Sequence, residues 1–211
     1  MIAIGSRYLM MFWALIFAGA ALSQSSQEAA QQSKSAQEVV TDVTDDMVKT
    51  INSSKALLAT NPQEYYSKVA SILEPVVAFD YIAKIVMSNY YEKASEQQRD
   101  EFAEVFKTSM VQTFAKGLAN YSDFDISVKA PEKDQTNERK VEVLQEVKSS
   151  DGTHIISYTM AQNKTGEWKL INVVLNGVNL GKSFRDQFAQ AMRQHSEDLP
   201  LVIKTWGKQD A

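Results

Sequence analysis

The sequence predicts an α+β domain, a twisted antiparallel sheet of about four strands packed with about six or seven helices. Three observations carry that prediction. From residue 36 to about residue 120, apolar residues recur at steps of three and four, which is the helical period. From Phe124 to Leu175 they alternate instead, and turn signals at Asp151-Gly152 and Lys164-Thr165-Gly166 separate the runs. Helical periodicity then returns to the end of the chain. Successive strands joined by short turns give an antiparallel meander, and helices segregated from strands indicate α+β rather than parallel α/β.

Composition narrows the function classes. The chain has 211 residues, 44% hydrophobic and 23% charged, which suits one globular domain. A net charge of −4 gives no basic excess, so nucleic acid is not an expected partner. Cysteine is absent, which removes disulfides, thiolate metal sites and Cys nucleophiles. At the start, Arg7 is the only charge before Glu28, and an apolar run from Tyr8 to Phe17 leads into Ala18-Gly19-Ala20-Ala21-Leu22-Ser23. A positive start, a short apolar stretch and small residues make a secretory signal peptide. Cleavage after Ser23 is the expected site, with Ala20 as the alternative. The run is short for a membrane span. The expected organisation is a signal peptide at 1–23, a Gln/Ser/Ala leader at 24–35 and one domain at 36–208.

The helices follow in order. Val39, Val43, Met47 and Ile51 give the first its stripe. Asn61 and Pro62 make a cap and first turn for the next, whose face is Tyr65 or Tyr66, Val69, Ile72 and Leu73. Phe79, Ile82, Val86 and Tyr90 share one face of a short helix. Ser95 and Gln98 have capping-box spacing. The long helix they open carries Phe102, Phe106, Met110, Phe114 and Leu118 at steps of four. The last helix, near residues 198–206, turns Leu199, Val202 and Trp206 to one side.

Among the strands, Phe124, Ile126 and Val128 alternate, then Val141 and Val143, with a slip at Leu144 before Val147. The final strand runs from Trp168 to Leu175. Its alternation puts Trp168, Leu170 and Val174 on one face, and Ile171, Val173 and Leu175 on the other, so it needs apolar cover on both. Asn176-Gly177-Val178-Asn179 is a turn. The helix after it begins near Leu180 and carries Phe184, Phe188 and Met192 on one stripe.

A search for chemistry finds little. His154 and His195 are isolated, and neither has a metal-ligand partner at i+3 or i+4. Gly177-Val178-Asn179-Leu180-Gly181 has nucleophile-elbow spacing, but its centre is Asn, which has no nucleophilic oxygen. No phosphate loop, dinucleotide fingerprint or zinc-protease motif is present. What remains is a surplus of aromatic and Met stripes. These fit either a filled core or an apolar cavity.

The run Gly177-Val178-Asn179-Leu180, followed by Phe184-Arg185-Asp186-Gln187-Phe188, resembles the closing motif of the MlaC family, also called the toluene-tolerance family. That motif reads acid, Gly, Val or Ile, Ser, Leu, then an aromatic, Arg, two variable residues and Phe. The resemblance extends over roughly residues 36–206. Phe79-Asp80-Tyr81-Ile82-Ala83, Tyr90-Tyr91, Ser95-Glu96-Gln97-Gln98-Arg99, Phe102, Phe106, residues 118–121 and Trp168-Lys169-Leu170 follow the family's order. Asn172 and Asn176 stand where the family tends to have acids, and Asn179 where it tends to have Ser. Tyr90-Tyr91 replaces a Trp-containing pair.

The resemblance implies a deep apolar pocket between sheet and helices that takes the acyl tails of a phospholipid. It implies a periplasmic phospholipid carrier and not an enzyme. The bound phospholipid would be cargo, with no cofactor and no metal. The implied partners are an inner-membrane ABC transporter complex with an MCE subunit and an outer-membrane lipoprotein–porin complex, and the carrier is expected to be a monomer. The candidate lipid-contacting residues are Phe79, Ile82, Val86, Tyr90, Phe106, Met110, Phe114, Tyr158, Val173, Leu175, Val178, Phe184 and Phe188. Two other readings are a carrier of another lipid, such as a hopanoid, and an α+β enzyme built on a similar pocket.

Overall fold

The computed structural model describes residues 34–119, 125–135, 137–149 and 152–208. The expected signal peptide, its cleavage site and nearly all of the leader lie outside the described residues, as do Phe124 and Asp151. Among the described residues there are seven α-helices and five strands. No helix among them is long and apolar enough to cross a membrane.

Local sequence explains where the helices start. Helix α1 spans Ala36–Ser54. Its capping box is complete, with the Ser35 amide donating to Glu38 Oε2 and the Glu38 amide donating to Ser35 Oγ. A short α2, Leu57–Thr60, leads to α3, Pro62–Leu73, where the Glu64 amide donates to Asn61 Oδ1 and Pro62 opens the first turn. Helix α4, Phe79–Met87, is shorter than the periodicity predicts. Ser88 adopts φ +51°, a conformation that ends an α-helix, and residues Ser88–Tyr90 close it as a 3-10 turn. Helix α5, Glu96–Ala119, opens on the predicted box: the Ser95 amide donates to Gln98 Oε1 and the Gln98 amide to Ser95 Oγ.

The five strands form one antiparallel sheet in chain order. They are β1 Asp125–Val128, β2 Lys140–Ser149, β3 Gly152–Gln162, β4 Trp168–Leu175 and β5 Val178–Asn179. The fifth strand is additional to the predicted four. Asn176 and Gly177 take φ +49° and +84° between the paired residues Leu175 and Val178. This is the two-residue hairpin turn that Asn-Gly favours, so the predicted turn is a hairpin. Helix α6, Leu180–Gln194, follows at once, with the Lys182 amide donating to Asn179 Oδ1. Helix α7, Leu199–Thr205, is capped by Asp198.

Two strand expectations are corrected. There is no slip at Leu144: Val141, Val143 and Gln145 are all buried, and Gln145 occupies the inward position where the apolar pattern breaks. In β4, Asn172 pairs with Thr159 but Leu170 pairs with Met160, which leaves Ile171 as an extra residue. That β-bulge shifts the phase of the strand. Leu170 and Val173, expected on opposite faces, both lie along the same cavity.

Two clusters hold the fold. The larger lies among the helices, where Phe102, Phe106, Phe188, Met87, Met192, Val86 and Tyr65 are sealed from solvent. Phe102 meets Phe188 and Trp206 edge to face, at 4.9 Å and 5.4 Å between ring centroids. Each such side chain stabilises the fold by about 1.5–3 kcal/mol through burial alone. Gly207, at φ +71°, allows the chain after Trp206 to lie against Ser109 of α5, where a Cβ would collide. The smaller cluster joins α1 to the sheet through Ala36, Val40, Val141, Val143 and Met160. The 76–78 segment also reaches the sheet. The Leu170 amide donates to the Val76 carbonyl, and the Ala78 amide to the Leu170 carbonyl.

Candidate functional site

Between the two clusters the side chains do not close. They leave a cavity of about 530 Å³, within the range of small-molecule sites. Helix α1 supplies one wall through Val40, Val43, Thr44, Met47, Val48 and Ile51. Those spacings make a stripe wider than the Val39-to-Ile51 series read from the sequence, and it includes Thr44. Val76, Val77, Phe79 and Ile82 come from the 76–78 segment and α4, and Phe106, Met110 and Phe114 from α5. Leu180 and Phe184 come from α6. The sheet forms the facing wall, with Gln145 and Val147 of β2, His154, Ile156, Tyr158 and Met160 of β3, and Leu170, Val173 and Leu175 of β4.

Burial grades along this cavity. Met160 is sealed at one end, whereas Leu175 is 37% exposed and Phe114 46% exposed at the other. The rim is also where polar groups gather. Asn176 accepts a hydrogen bond from the Ile155 amide at 2.9 Å, and its amide nitrogen lies 3.0 Å from His154 Nδ1. Asn172 Oδ1 accepts from the Gly181 amide at the start of α6. The amide oxygens of Asn172 and Asn176 thus still act as acceptors where the family tends to carry acids.

Nine of the thirteen expected contact residues line the cavity: Phe79, Ile82, Phe106, Met110, Phe114, Tyr158, Val173, Leu175 and Phe184. The other four lie elsewhere. Val86 and Phe188 are sealed within the helical core, where Phe188 packs on Phe102 and Trp206. Tyr90 packs on Phe188 at 5.9 Å between centroids and donates to Glu197 Oε1. Val178, in the hairpin, is 55% exposed. Sequence reasoning missed Val40, Thr44 and Val48, whose signal was the width of the α1 stripe. It missed Leu170, whose phase depends on the bulge, and Gln145, whose signal was the single polar residue in an inward row.

The lining is mainly apolar, with a few polar side chains set into it. No Asp, Glu, Lys or Arg is among its described residues. The Tyr158 hydroxyl donates to Gln145 Oε1 at 2.8 Å, and burial raises its pKa, so the phenol stays protonated. His195 follows the end of α6, outside the lining. No group of three or more metal-binding side chains occurs among the described residues. A largely apolar cavity of this size, without Asp, Glu, Lys or Arg among its described lining residues, can hold hydrocarbon.

The model of one protein family, "MlaC protein", matches residues 41–208. A toluene tolerance protein, ttg2D, of Pseudomonas putida is 35% identical over 171 residues, covering 80% of this chain and 78% of that protein. The intermembrane phospholipid transport system binding protein MlaC of Haemophilus influenzae is 27% identical over 139 residues, 64% of each chain. A phospholipid-binding protein from Ralstonia solanacearum, solved in complex with a phospholipid, superposes with a TM-score of 0.74 at 22% identity. The superposition covers 83% of this chain and 98% of that one, and so shares the fold. With the family match spanning the domain from α1 to the end of α7, the chain belongs to the MlaC family.

Proposed function

We propose that this protein is a periplasmic phospholipid carrier. It takes acyl tails into the cavity between α1 and the sheet and leaves the headgroup at the rim marked by Leu175 and Phe114. One observation carries the reading: a largely apolar cavity of about 530 Å³ between the helices and the sheet, with no Asp, Glu, Lys or Arg among its described lining residues. The names of the Haemophilus relative and the Ralstonia structure, each tied to phospholipid, support it. In this reading the donor and acceptor are an inner-membrane ABC transporter complex with an MCE subunit and an outer-membrane lipoprotein–porin complex. Movement of lipid between them maintains outer-membrane lipid asymmetry.

Energetics require such partners. Two acyl chains hold about 30 methylenes, each gaining about 0.8 kcal/mol on burial. The gross gain of about 25 kcal/mol exceeds the practical ceiling on affinity, so tail ordering and cavity opening must offset part of it. Release into water is nonetheless slow, and transfer needs an acceptor that offers competing apolar surface. Native mass spectrometry of gently purified protein tests the reading. A phospholipid mass bound to the folded chain is expected. A bare chain, or a polycyclic lipid in its place, would overturn it.

A further inference from the structure

The cavity holds one buried polar side chain whose hydrogen-bonding capacity exceeds its protein partners. Gln145 is only 3% exposed. Its Oε1 accepts from Tyr158, and its Nε2 donates to Thr44 Oγ1 at 2.7 Å. The Thr44 hydroxyl in turn donates to the Val40 carbonyl at 2.8 Å. That last bond uses the Thr44 proton, so Thr44 must accept from the amide, and the direction of the chain is set. A primary amide carries two N–H groups. Thr44 takes one, and the other has no protein acceptor among the described residues. A buried donor left without an acceptor is destabilising, and native interiors rarely leave one so.

We propose that the second N–H of Gln145 donates to the acyl ester carbonyl of the bound lipid, so that the cavity selects ester-linked glycerolipids. This rests on the reading of the cavity as a lipid site. Two observations favour an ester. No Lys or Arg is among the described lining residues, and none lies beside Gln145, so a carboxylate placed there would be buried without a lysine or arginine counter-charge, whereas an ester carbonyl is a neutral acceptor. The register also puts the amide within reach of the rim. Gln145 pairs with Ile156, and Ile156 pairs with the partly exposed Leu175, so all three lie in one cross-sheet row. Two strand spacings, about 10 Å, separate Gln145 from that rim residue. The ester linkages of a glycerolipid are the part that joins tails inside to a headgroup outside.

The test compares chain-matched diester and diether phosphatidylethanolamine, with a free fatty acid as third probe, for binding to delipidated full-length protein. Each probe is measured on wild type, Gln145→Leu and Gln145→Met, after the melting temperature has shown that the variants fold. Wild type is expected to hold the diester about five-fold or more tighter than the diether, the worth of one net hydrogen bond. In whichever variant folds, the ratio should fall to about one, in line with that same lost bond. Equal binding of diester and diether by wild type would overturn the inference and leave the lipid reading standing. So would a preference that survives Gln145→Leu or Gln145→Met, while tighter binding of the fatty acid would assign the donor to a carboxyl group instead. Failure of wild type to bind any of the three would overturn the lipid reading itself, and the inference with it.

Discussion

Phe102 and Phe114 lie on one stripe of one helix, yet they belong to different kinds of interior. Phe102 is sealed among Phe106, Phe188 and Trp206. Phe114, three steps of four further along α5, stands half-exposed at the rim of a cavity. The two ends of α5 have the same residue types and the same periodicity. What differs is the element opposite. The first half of the helix faces α6 and α7, which approach closely enough to interdigitate. The second half, through Met110 and Phe114, faces the cavity, with the sheet forming the opposite wall. A helical stripe therefore specifies which face is apolar, while the partner decides whether that face is filled.

Truncation at the two ends should expose this difference most strongly. Phe102→Ala removes a side chain from a close-packed cluster and should lower unfolding free energy by about 3–5 kcal/mol. Phe114→Ala leaves no new buried void, and should cost less than about 1 kcal/mol in the lipid-free protein. Chemical denaturation of both delipidated variants measures the pair. Equal losses would mean that α5 has a single continuous core and that the cavity is closed in solution.

Enlargement should give the opposite sign in the two regions. Val86 has no spare volume around it, and Val86→Trp should destabilise by at least about 1–3 kcal/mol through overpacking. Val173 faces empty space, so Val173→Trp should hold or raise the melting temperature of delipidated protein while lowering co-purified lipid phosphorus. A Val173→Trp protein that unfolds would place that side chain in packed surroundings, against its position in the cavity wall.

The smallest effect concerns the matching caps. Ser35 and Ser95 complete capping boxes of the same chemistry on α1, the cavity wall, and on α5, the core helix. Either Ser→Ala change should cost about 1 kcal/mol of helix stability. The two should differ in where the loss is felt. Ser95→Ala should lower global stability, while Ser35→Ala should raise amide hydrogen exchange mainly within α1, because fewer neighbours hold that helix. Identical exchange profiles in the two variants would show that α1 unfolds only with the whole domain.

The contrast also explains what was legible in the sequence. The helices were, because 3.6-residue periodicity and caps such as Asn61, Ser95 and Asn179 are local properties. The sheet order was legible from short turns. Val86 and Phe188 were assigned to the pocket because a stripe shows its face but not its partner. Leu170 and Val173 were split between faces because a bulge at Ile171 depends on the pairing of β4 with β3. Gln145 read as an irregularity because its inward position is justified only by Thr44 and Tyr158, which lie 101 and 13 residues away. The cavity itself is a matter of spacing between layers, and no local pattern records it.

The link between residues 76–78 and Leu170 has a consequence for how the molecule protects itself from self-association. An exposed strand edge is a template for another chain. In β4 the C-terminal half of that edge is occupied by β5, and the region around Leu170 by the 76–78 segment, whose Val77 forms a parallel bridge with Leu170. That segment lies almost half the chain earlier in sequence, just after Pro75. The seal is therefore non-local, and in folding it must wait for the helical half to dock. Until then β4 presents an apolar, uncovered edge. The docking of a few residues after α3 thus marks the point at which the β4 edge ceases to be adhesive to a second copy of the chain.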